Sequence, residues 1–352
     1  MAKVLVVATS RKTRGGITSV VKAHKTGEQW KKYHCVWIQT HRDGPIWRKL
    51  IYLLRAWLEY LVLLPFYDAV HIHSAGQSSA KRKLLFARLA RKCRKVVIVH
   101  FHPPGPDDIF SAKSHDVVKK LFDLADKVIV LSPQWERWIK EAFPDRNYQM
   151  VVLWNPCPAV KRVENNKKKH ILYAGTLCKR KGYDVLLRAF GMIANKYPDW
   201  KIVFAGNPYL LDGYNELDDG KHLAKELGID NQVEWLGWVC GEEKDKVFNE
   251  ASIYCLASTG EGFPMGVLDA WAYGIPCVMT PVGGIPDIVE NGIHGLLIPI
   301  GDSTKMACAL DKMMGDEILR TYIVSETDKL VATTFNISSI CHELGDIYDS
   351  II

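Results

Sequence analysis

The chain has 352 residues, of which 48% are hydrophobic and 24% are charged. This length suits two domains of ordinary size, and the composition excludes a disordered or fibrous chain. The nine cysteines are scattered without a Cys-x-x-Cys pair or a His-Cys cluster at metal-ligand spacing, which argues against a disulfide framework or a zinc finger and predicts reduced thiols in a cytoplasmic protein.

Net charge divides unevenly between the two halves. Residues 1–160 hold 27 Lys and Arg against 12 Asp and Glu, a net charge of +15, which leaves 19 against 27 for residues 161–352, a net charge of −8. A basic half attracts nucleic acid, an anionic membrane or a phosphorylated substrate. Solvated helix faces would give the same counts, so charge alone leaves these alternatives open.

The first half predicts a parallel sheet. Short β-branched runs alternate with amphipathic segments, which is typical of an α/β domain with helices on both faces. The predicted strands are residues 4–8, 69–73, 95–100, 127–131 and 151–153. A lysine-rich stretch at 161–169 follows them and has the composition of a linker.

Residues 46–66 form a strongly apolar and aromatic segment that nevertheless contains Arg48, Lys49, Arg55 and Glu59. These charges argue against a transmembrane helix, which needs about 20 predominantly apolar residues. Two alternatives remain: a helix that lies in a membrane interface, and a helix buried between the sheet and a loop. The positive charge of this half favours membrane contact.

The second half repeats the alternation of strands and helices. Its predicted strands are residues 170–174, 201–205, 233–236, 253–256, 277–280 and 295–298. One intervening helix carries an apolar stripe suited to packing on a sheet, formed by Leu186, Leu187, Phe190 and Ile193. The predicted fold is therefore α/β, with two doubly wound domains at 1–160 and 161–336.

Ligands of such sheets bind at the carboxyl ends of the strands, and two candidate loops lie there. Gly15 and Gly16 follow the first strand and let backbone N–H groups approach an anion at a helix start. Glu261 and Asp269 follow a strand of the second half, with Asp269 about two turns into the next helix. A carboxylate there suits the hydroxyls of a ribose.

Residues 261–270 resemble the Glu-x7-Glu signature of the retaining family 4 glycosyltransferases, which have the GT-B fold with two Rossmann-like domains facing a cleft. Residues 173–182 and 283–292 resemble that family's phosphate-binding turn and its Gly-Gly-x-x-Glu turn. The first half resembles the family more loosely, at Gly15, Gly16, His100, His102, Ser132 and Asn155.

The resemblance implies a role for each matching residue. Lys181 and Arg180 would offset the charge of the departing donor diphosphate. Glu261 would contact hydroxyls of the transferred sugar, and Asp269 would hold the ribose. The remaining implied contacts are backbone N–H groups from Phe263, Pro264, Met265 and Gly266, a diphosphate contact from Gly15 and Gly16, and a sugar contact from His102 or else His100.

Two positions depart from the family pattern. Asp269 replaces the usual Glu, and Thr176 stands where many members have Arg. These changes raise the alternative of a degenerate homologue that acts as a subunit, although intact Glu261 and Lys181 argue against it. Because the chain lacks an Asp-x-Asp motif, neither a metal ion nor another cofactor is expected at the donor.

The sequence therefore predicts a retaining, metal-independent glycosyltransferase. Its expected partners are a nucleotide-sugar donor, a saccharide or lipid-linked saccharide acceptor bound by residues 1–160, and an anionic membrane surface on the cytoplasmic side. Residues 337–352 are expected to return to the first domain. The alternatives are another nucleotide-sugar enzyme of this fold, such as an epimerase or a transferase with a soluble acceptor, and a non-catalytic nucleic-acid-binding protein. No nucleic acid is expected, because the informative motifs lie in the acidic half.

Overall fold

The computed structural model describes residues 2–163, 165–208, 210–211 and 214–352. These residues form two compact units, Met1–Pro156 with Thr334–Ile352, and Cys157–Thr333. Arg162, from the stretch with a linker's composition, belongs to the second unit and donates hydrogen bonds to the Trp271 and Ala272 carbonyl oxygens, each over 2.8 Å.

The first unit is built on six parallel strands. Most of their β-branched residues are buried, as expected for a parallel sheet covered by helices, whereas Val151 and Val152 of the last strand are only partly buried. The strands are β1 Val4–Ala8, β2 Val36–Gln39, β3 Ala69–Ser74, β4 Val96–Phe101, β5 Lys127–Val130 and β6 Met150–Val152, and they lie in the order β2-β1-β3-β4-β5-β6. The helices between them are α1 Gly16–His24, α2 Glu28–Lys32, α3 Ile46–Leu63, α4 Gln77–Lys92, α5 Asp107–Phe110, α6 Ala112–Phe122 and α7 Pro133–Ala142.

The second unit contains another six-stranded parallel sheet, of order β11-β8-β7-β12-β13-β14, together with a short antiparallel pair, β9 and β10. The strands are β7 His170–Ala174, β8 Lys201–Ala205, β9 Leu210–Leu211, β10 Tyr214–Asn215, β11 Val233–Trp235, β12 Ile253–Leu256, β13 Cys277–Met279 and β14 Leu296–Leu297. Its helices are α8 Tyr183–Gly191, α9 Glu216–Glu226, α10 Glu242–Glu250, α11 Met265–Ala272, α12 Ser303–Gly315 and α13 Glu317–Thr333. The predicted α/β class with two doubly wound sheets is confirmed.

The last helix, α14 Ile337–Asp349, packs in the first unit. Ile340, Leu344 and Ile347 lie in the same buried cluster as Val4 and Val6 of β1. The spacing of three or four residues places these apolar side chains on one face of α14. The chain therefore crosses from the second unit back to the first after Thr333.

The strand orders fix where a ligand can reach each sheet. In the second unit the connections run to opposite sides from β7, so β7 and the neighbouring β12 form a topological switch point. In the first unit β1 and β3 form the corresponding pair. Loops that leave the carboxyl ends of such a pair diverge and open a crevice.

Helix α3 buries little of its surface. It packs through Ala56 and Tyr60, and the Tyr60 hydroxyl donates a hydrogen bond to the Phe86 carbonyl oxygen over 2.8 Å. Its large apolar side chains are exposed, Leu54 by 61% and Leu50 by 59%, so the alternative of a helix buried between sheet and loop is wrong. Across the described ranges, no helix combines the length and the apolar character needed to cross a bilayer.

Candidate functional site

The site in the second unit begins with the turn after β7. Lys179–Lys181 form a single 3₁₀ turn that ends at Gly182. Gly182 has φ of 73°, a left-handed conformation that costs other residues free energy. This turn directs Lys181 back towards the carboxyl end of the sheet. A Cβ placed on Gly175 would lie 3.9 Å from Lys181 Nζ.

Glu261 lies in the loop that follows β12 and is buried. Its Oε1 lies 2.7 Å from Lys181 Nζ and 3.7 Å from Arg180 Nη1, and it accepts a hydrogen bond from Ser258 Oγ over 2.8 Å. A buried carboxylate requires such compensation, because burial removes its hydration. The structure therefore brings together three of the predicted site residues, Arg180, Lys181 and Glu261.

Hydrogen bonds hold together the loops that follow β7, β12 and β13. The Thr259 N–H donates to the Arg180 carbonyl oxygen over 2.8 Å, and Arg180 Nη1 donates to the Gly260 carbonyl oxygen over 2.5 Å. The Gly284 N–H donates to the Gly262 carbonyl oxygen over 3.0 Å. These contacts fix the cations and the carboxylate relative to each other, as a preorganised polar site requires.

Asp269 lies one turn into α11, because this helix begins at Met265 rather than earlier as the sequence suggested. Its Oδ1 forms an ion pair with Lys244 Nζ of α10 at 2.8 Å. Burial raises the pKa of Asp269, and the charge and hydrogen bond of Lys244 act in the opposite direction. Asp269 therefore has a cationic partner that the sequence pattern did not reveal.

Residues 263–266 form the approach to α11, with Pro264 at its N-cap. Pro264 has no amide hydrogen, so the expectation of an N–H donor at this position is wrong. Phe263, Met265 and Gly266 remain as expected donors. A Cβ on Gly266 would lie 2.1 Å from Tyr254 Oη, which shows that the helix passes close to that hydroxyl. Tyr254 Oη donates to the Ala174 carbonyl oxygen over 3.2 Å, and so links β12 to the end of β7.

Gly15 and Gly16 occupy the predicted place in the first unit. Gly15 is the N-cap of α1, with φ of 146°, and Gly16 is the first helical residue. Beyond its immediate chain neighbours, no described atom lies within 4 Å of a Cβ position on Gly15, so its backbone conformation, and not lack of space, favours glycine there. The first N–H groups of α1 are left without helical carbonyl partners and suit an anion.

The two candidate histidines differ in accessibility. His100 is fully buried, whereas His102, just after β4, is only partly covered. His102 Nε2 lies 2.9 Å from His73 Nδ1, and burial lowers the pKa of His102 to about 3. A neutral His102 is therefore the one of the two that can contact a substrate, which favours the first of the two predicted alternatives.

Sequence reasoning missed Ser258, Tyr254 and Lys244. Ser258 and Tyr254 lie in or next to β12 and contact the site through one hydroxyl each. Lys244 belongs to α10, 25 residues before its partner Asp269. Only the position of Ser258, three residues before Glu261, offers a signal in the sequence, because a residue that close in a loop can bond the carboxylate.

Replacing Gly182 with alanine should destabilise the second unit by about 2–4 kcal/mol. The new Cβ would lie 2.3 Å from the Ala257 carbonyl oxygen in a left-handed residue. Gly228→Ala is the matched control, because Gly228 has φ of 68° and open space around its Cβ position, and should cost only about 1–2 kcal/mol. Urea unfolding measures both, and equal losses would contradict the predicted collision.

Comparisons with known proteins agree with this architecture. Residues 159–330 match the family model described as Glycosyl transferases group 1. An uncharacterized glycosyltransferase from Haemophilus influenzae is 28% identical over 219 residues, which cover 62% of this chain and 60% of that protein. The chain spans between 40% and 60% of the length of the first three curated relatives it matches.

Two solved structures share the fold over nearly the whole chain. HepE from Anabaena, in complex with UDP, has a TM-score of 0.78 at 18% identity and covers 99% of this chain and 100% of its own. Sucrose-phosphate synthase from Thermosynechococcus elongatus has a TM-score of 0.78 at 17% identity, with 99% of both chains covered. Residues 159–330 thus match the glycosyl transferases group 1 family model, and the chain has the GT-B fold that these two structures share.

Proposed function

We propose that this protein is a retaining glycosyltransferase of family 4 that moves a sugar from a nucleotide-sugar donor to a saccharide acceptor. The observation that carries the proposal is the buried Glu261 carboxylate, paired with Lys181 at 2.7 Å at the switch point of the second sheet. HepE, which has the same fold, is described in complex with UDP. That complex supports a nucleoside diphosphate as the ligand of this site.

Lys181 and Arg180 would neutralise the diphosphate as it departs. Two cations from one turn face a single carboxylate oxygen, so the turn keeps an excess of positive charge. In a site shielded from water, such charge acts strongly on a developing anion. Thr176 supplies no charge here, which leaves these two side chains as the proposed phosphate ligands.

Glu261 and Asp269 would hold the two sugar parts of the donor. Glu261 would accept hydrogen bonds from hydroxyls of the transferred sugar, assisted by the N–H groups of residues 263, 265 and 266. Asp269 would accept from the ribose, and its partner Lys244 would keep the buried carboxylate charged. Tyr254 would position α11 near both carboxylates. Burial raises the pKa of the Tyr254 hydroxyl, and the charges of Glu261 and Asp269 act in the same direction, so the hydroxyl keeps its proton.

The first unit would contribute the acceptor site, together with Gly15 and Gly16 for the diphosphate and neutral His102 for the sugar. Retention would proceed on one face of the sugar through an oxocarbenium-like state, with the leaving phosphate taking the acceptor proton. The bond from the anomeric carbon to the phosphate oxygen breaks as the bond to the acceptor oxygen forms. No metal ion is required in this scheme, because protein cations balance the phosphate charge.

Turnover of a nucleotide sugar in the presence of EDTA tests this function. We expect the purified protein to release nucleoside diphosphate and to form a glycoside or free sugar with the anomeric configuration of the donor, followed by proton NMR at early times. Inverted product would refute retention. Loss of all turnover on chelation, restored by Mg²⁺ or Mn²⁺, would refute metal independence.

The acceptor is proposed to be lipid-linked and reached from a membrane surface on the cytoplasmic side. Helix α3 exposes an apolar face that includes Leu50, Leu54 and Leu58, and basic residues at positions 48, 49 and 55 lie on the same helix. An apolar face with basic residues beside it is what an anionic bilayer interface binds. Exposed apolar surface of this extent otherwise favours aggregation.

Replacing Arg48, Lys49 and Arg55 together with glutamate should weaken binding to anionic phosphatidylglycerol vesicles by about 10²-fold or more, since each basic residue near such a surface contributes about 1 kcal/mol. Co-sedimentation with vesicles measures the change. The matched control replaces three exposed lysines of the second unit, Lys221, Lys225 and Lys246, with glutamate. Equal losses in both variants, or no loss in either, would argue against α3 as the membrane contact.

A further inference from the structure

Five histidines lie together on one side of the sheet of the first unit. His71 and His73 are two residues apart in β3, and so point to the same face. The register pairs His73 with His100 of β4, and His102 follows two residues later. His24, the last residue of α1, stacks against His100 with ring centroids 5.9 Å apart.

Three of these histidines bring ring nitrogens close together. One ring nitrogen from each of His24, His73 and His100 lies within 4.8 Å of the other two. Each of the three residues is no more than 1% exposed. The neighbouring side chains that close the cluster are His71 and Tyr348, joined by a 2.6 Å contact between His71 Nδ1 and Tyr348 Oη.

Several nitrogens of these three residues lack a hydrogen-bond partner among the residues that the structure describes. They are Nε2 of His24, Nε2 of His73, and both Nδ1 and Nε2 of His100. Buried polar atoms without partners are rare in folded proteins, because each loses its hydration without compensation. Three such imidazoles that meet in one place require an explanation that packing alone does not supply.

We propose that His24, His73 and His100 bind a divalent first-row transition metal ion, for which Zn²⁺ is the probe. Neutral imidazole is a preferred ligand of Zn²⁺, Ni²⁺ and Cu²⁺. A Zn–N distance of about 2.0–2.1 Å in tetrahedral geometry places ligand nitrogens about 3.3 Å apart. The three nitrogens lie within 4.8 Å of one another, so the rings would turn towards the ion on binding, and water would complete the fourth position, as in other three-histidine zinc sites.

The contact between His73 and His102 supports this assignment. A histidine that binds a metal through one nitrogen usually donates its other N–H to a neighbouring acceptor, which fixes the ring. When His73 Nδ1 carries the hydrogen and donates to His102 Nε2 at 2.9 Å, the lone pair of His73 Nε2 is left for the ion. The proposed ion belongs to the first unit and plays no part in the metal-independent donor chemistry proposed for the second.

The test is metal binding by the full-length, tag-free protein. After dialysis against Zn²⁺ or Co²⁺ and gel filtration, we expect one ion per chain, with Co²⁺ giving the visible absorption of a four-coordinate site. His24→Gln and His100→Gln should each weaken binding by at least about 100-fold, and His102→Gln by about 10–100-fold. The control is His222→Gln, which alters a histidine exposed on α9 and should leave stoichiometry and affinity unchanged.

A readout on the unmodified chain keeps the test decisive if the variants fold poorly. X-ray absorption of the Zn²⁺-loaded protein should show three imidazole nitrogens and one oxygen from water. A coordination sphere dominated by oxygen, the absence of stoichiometric binding, or binding that survives both His24→Gln and His100→Gln would overturn the proposal. None of these results depends on nucleotide binding, so they leave the proposed transferase function to its own tests.

Discussion

Replacing Lys181 with alanine is expected to lower the rate of sugar transfer by about 10²–10³-fold, the effect of removing one preorganised charge from a developing anion. The Lys181 side chain is only 19% exposed and lies 2.7 Å from Glu261, so water screens its charge weakly. Affinity for the free nucleoside diphosphate should also fall, since the diphosphate loses a charged partner. Nucleoside diphosphate release measures the first effect, and calorimetric titration the second.

The control for this variant is Lys196→Ala, which removes an exposed lysine paired with Asp311. Exposed ion pairs contribute little to stability, so both rate and affinity should stay within about threefold of the unmodified protein. Thermal unfolding of both variants shows whether they remain folded. A Lys181→Ala protein that is folded and keeps its full rate would remove Lys181 from the proposed site.

Replacing Glu261 with glutamine should affect sugar transfer and diphosphate binding differently. The rate of transfer should fall by about 10–100-fold, because hydrogen bonds to a charged acceptor contribute about 1.5–3 kcal/mol. Affinity for the free nucleoside diphosphate should stay the same or increase, since Lys181 and Arg180 lose the carboxylate that competes for their charge. Glu261→Gln and Lys181→Ala therefore differ in their effect on diphosphate affinity.

Glu226→Gln provides the comparison for Glu261, because Glu226 is exposed and pairs with His222 on the surface of α9. It should change neither rate nor affinity. Nucleoside diphosphate release measures the rate of both proteins, and calorimetric titration measures their affinity. Weaker diphosphate binding in Glu261→Gln, of the size seen in Lys181→Ala, would mean that Glu261 orders the turn rather than contacting the sugar.

The sequence predicted most of the two sheets because their strands are buried, continuous β-branched runs. Residues 4–8, 170–174, 201–205 and 253–256 match β1, β7, β8 and β12 at both ends. Strand β2 was missed, since four residues that include Trp37 and Gln39 form too short a β-branched run. The antiparallel pair of β9 and β10 was also missed, because two-residue strands leave no periodic pattern.

The candidate site was predictable where sequence motifs carry its residues, and it was not predictable where a residue outside any motif reaches the site. Glu261, Arg180 and Lys181 lie in two motifs, and strand order brings these together. Lys244 reaches Asp269 from another helix, and no spacing in the sequence encodes that contact. The histidines of the first unit were likewise recognised only at positions 100 and 102, since the histidine at the end of α1 joins them through packing.

Thermal unfolding with nucleotides tests the central claim, that the second unit binds a nucleotide-sugar donor through Lys181. Unmodified protein, Lys181→Ala and Lys196→Ala are compared with UDP, GDP, ADP and dTDP and their sugars, with EDTA present. We predict that one nucleotide family stabilises the unmodified protein and Lys196→Ala, by about 2.7 kcal/mol at 100 times the dissociation constant, and stabilises Lys181→Ala much less. No stabilisation by any nucleotide, or equal stabilisation of all three proteins, would contradict the claim.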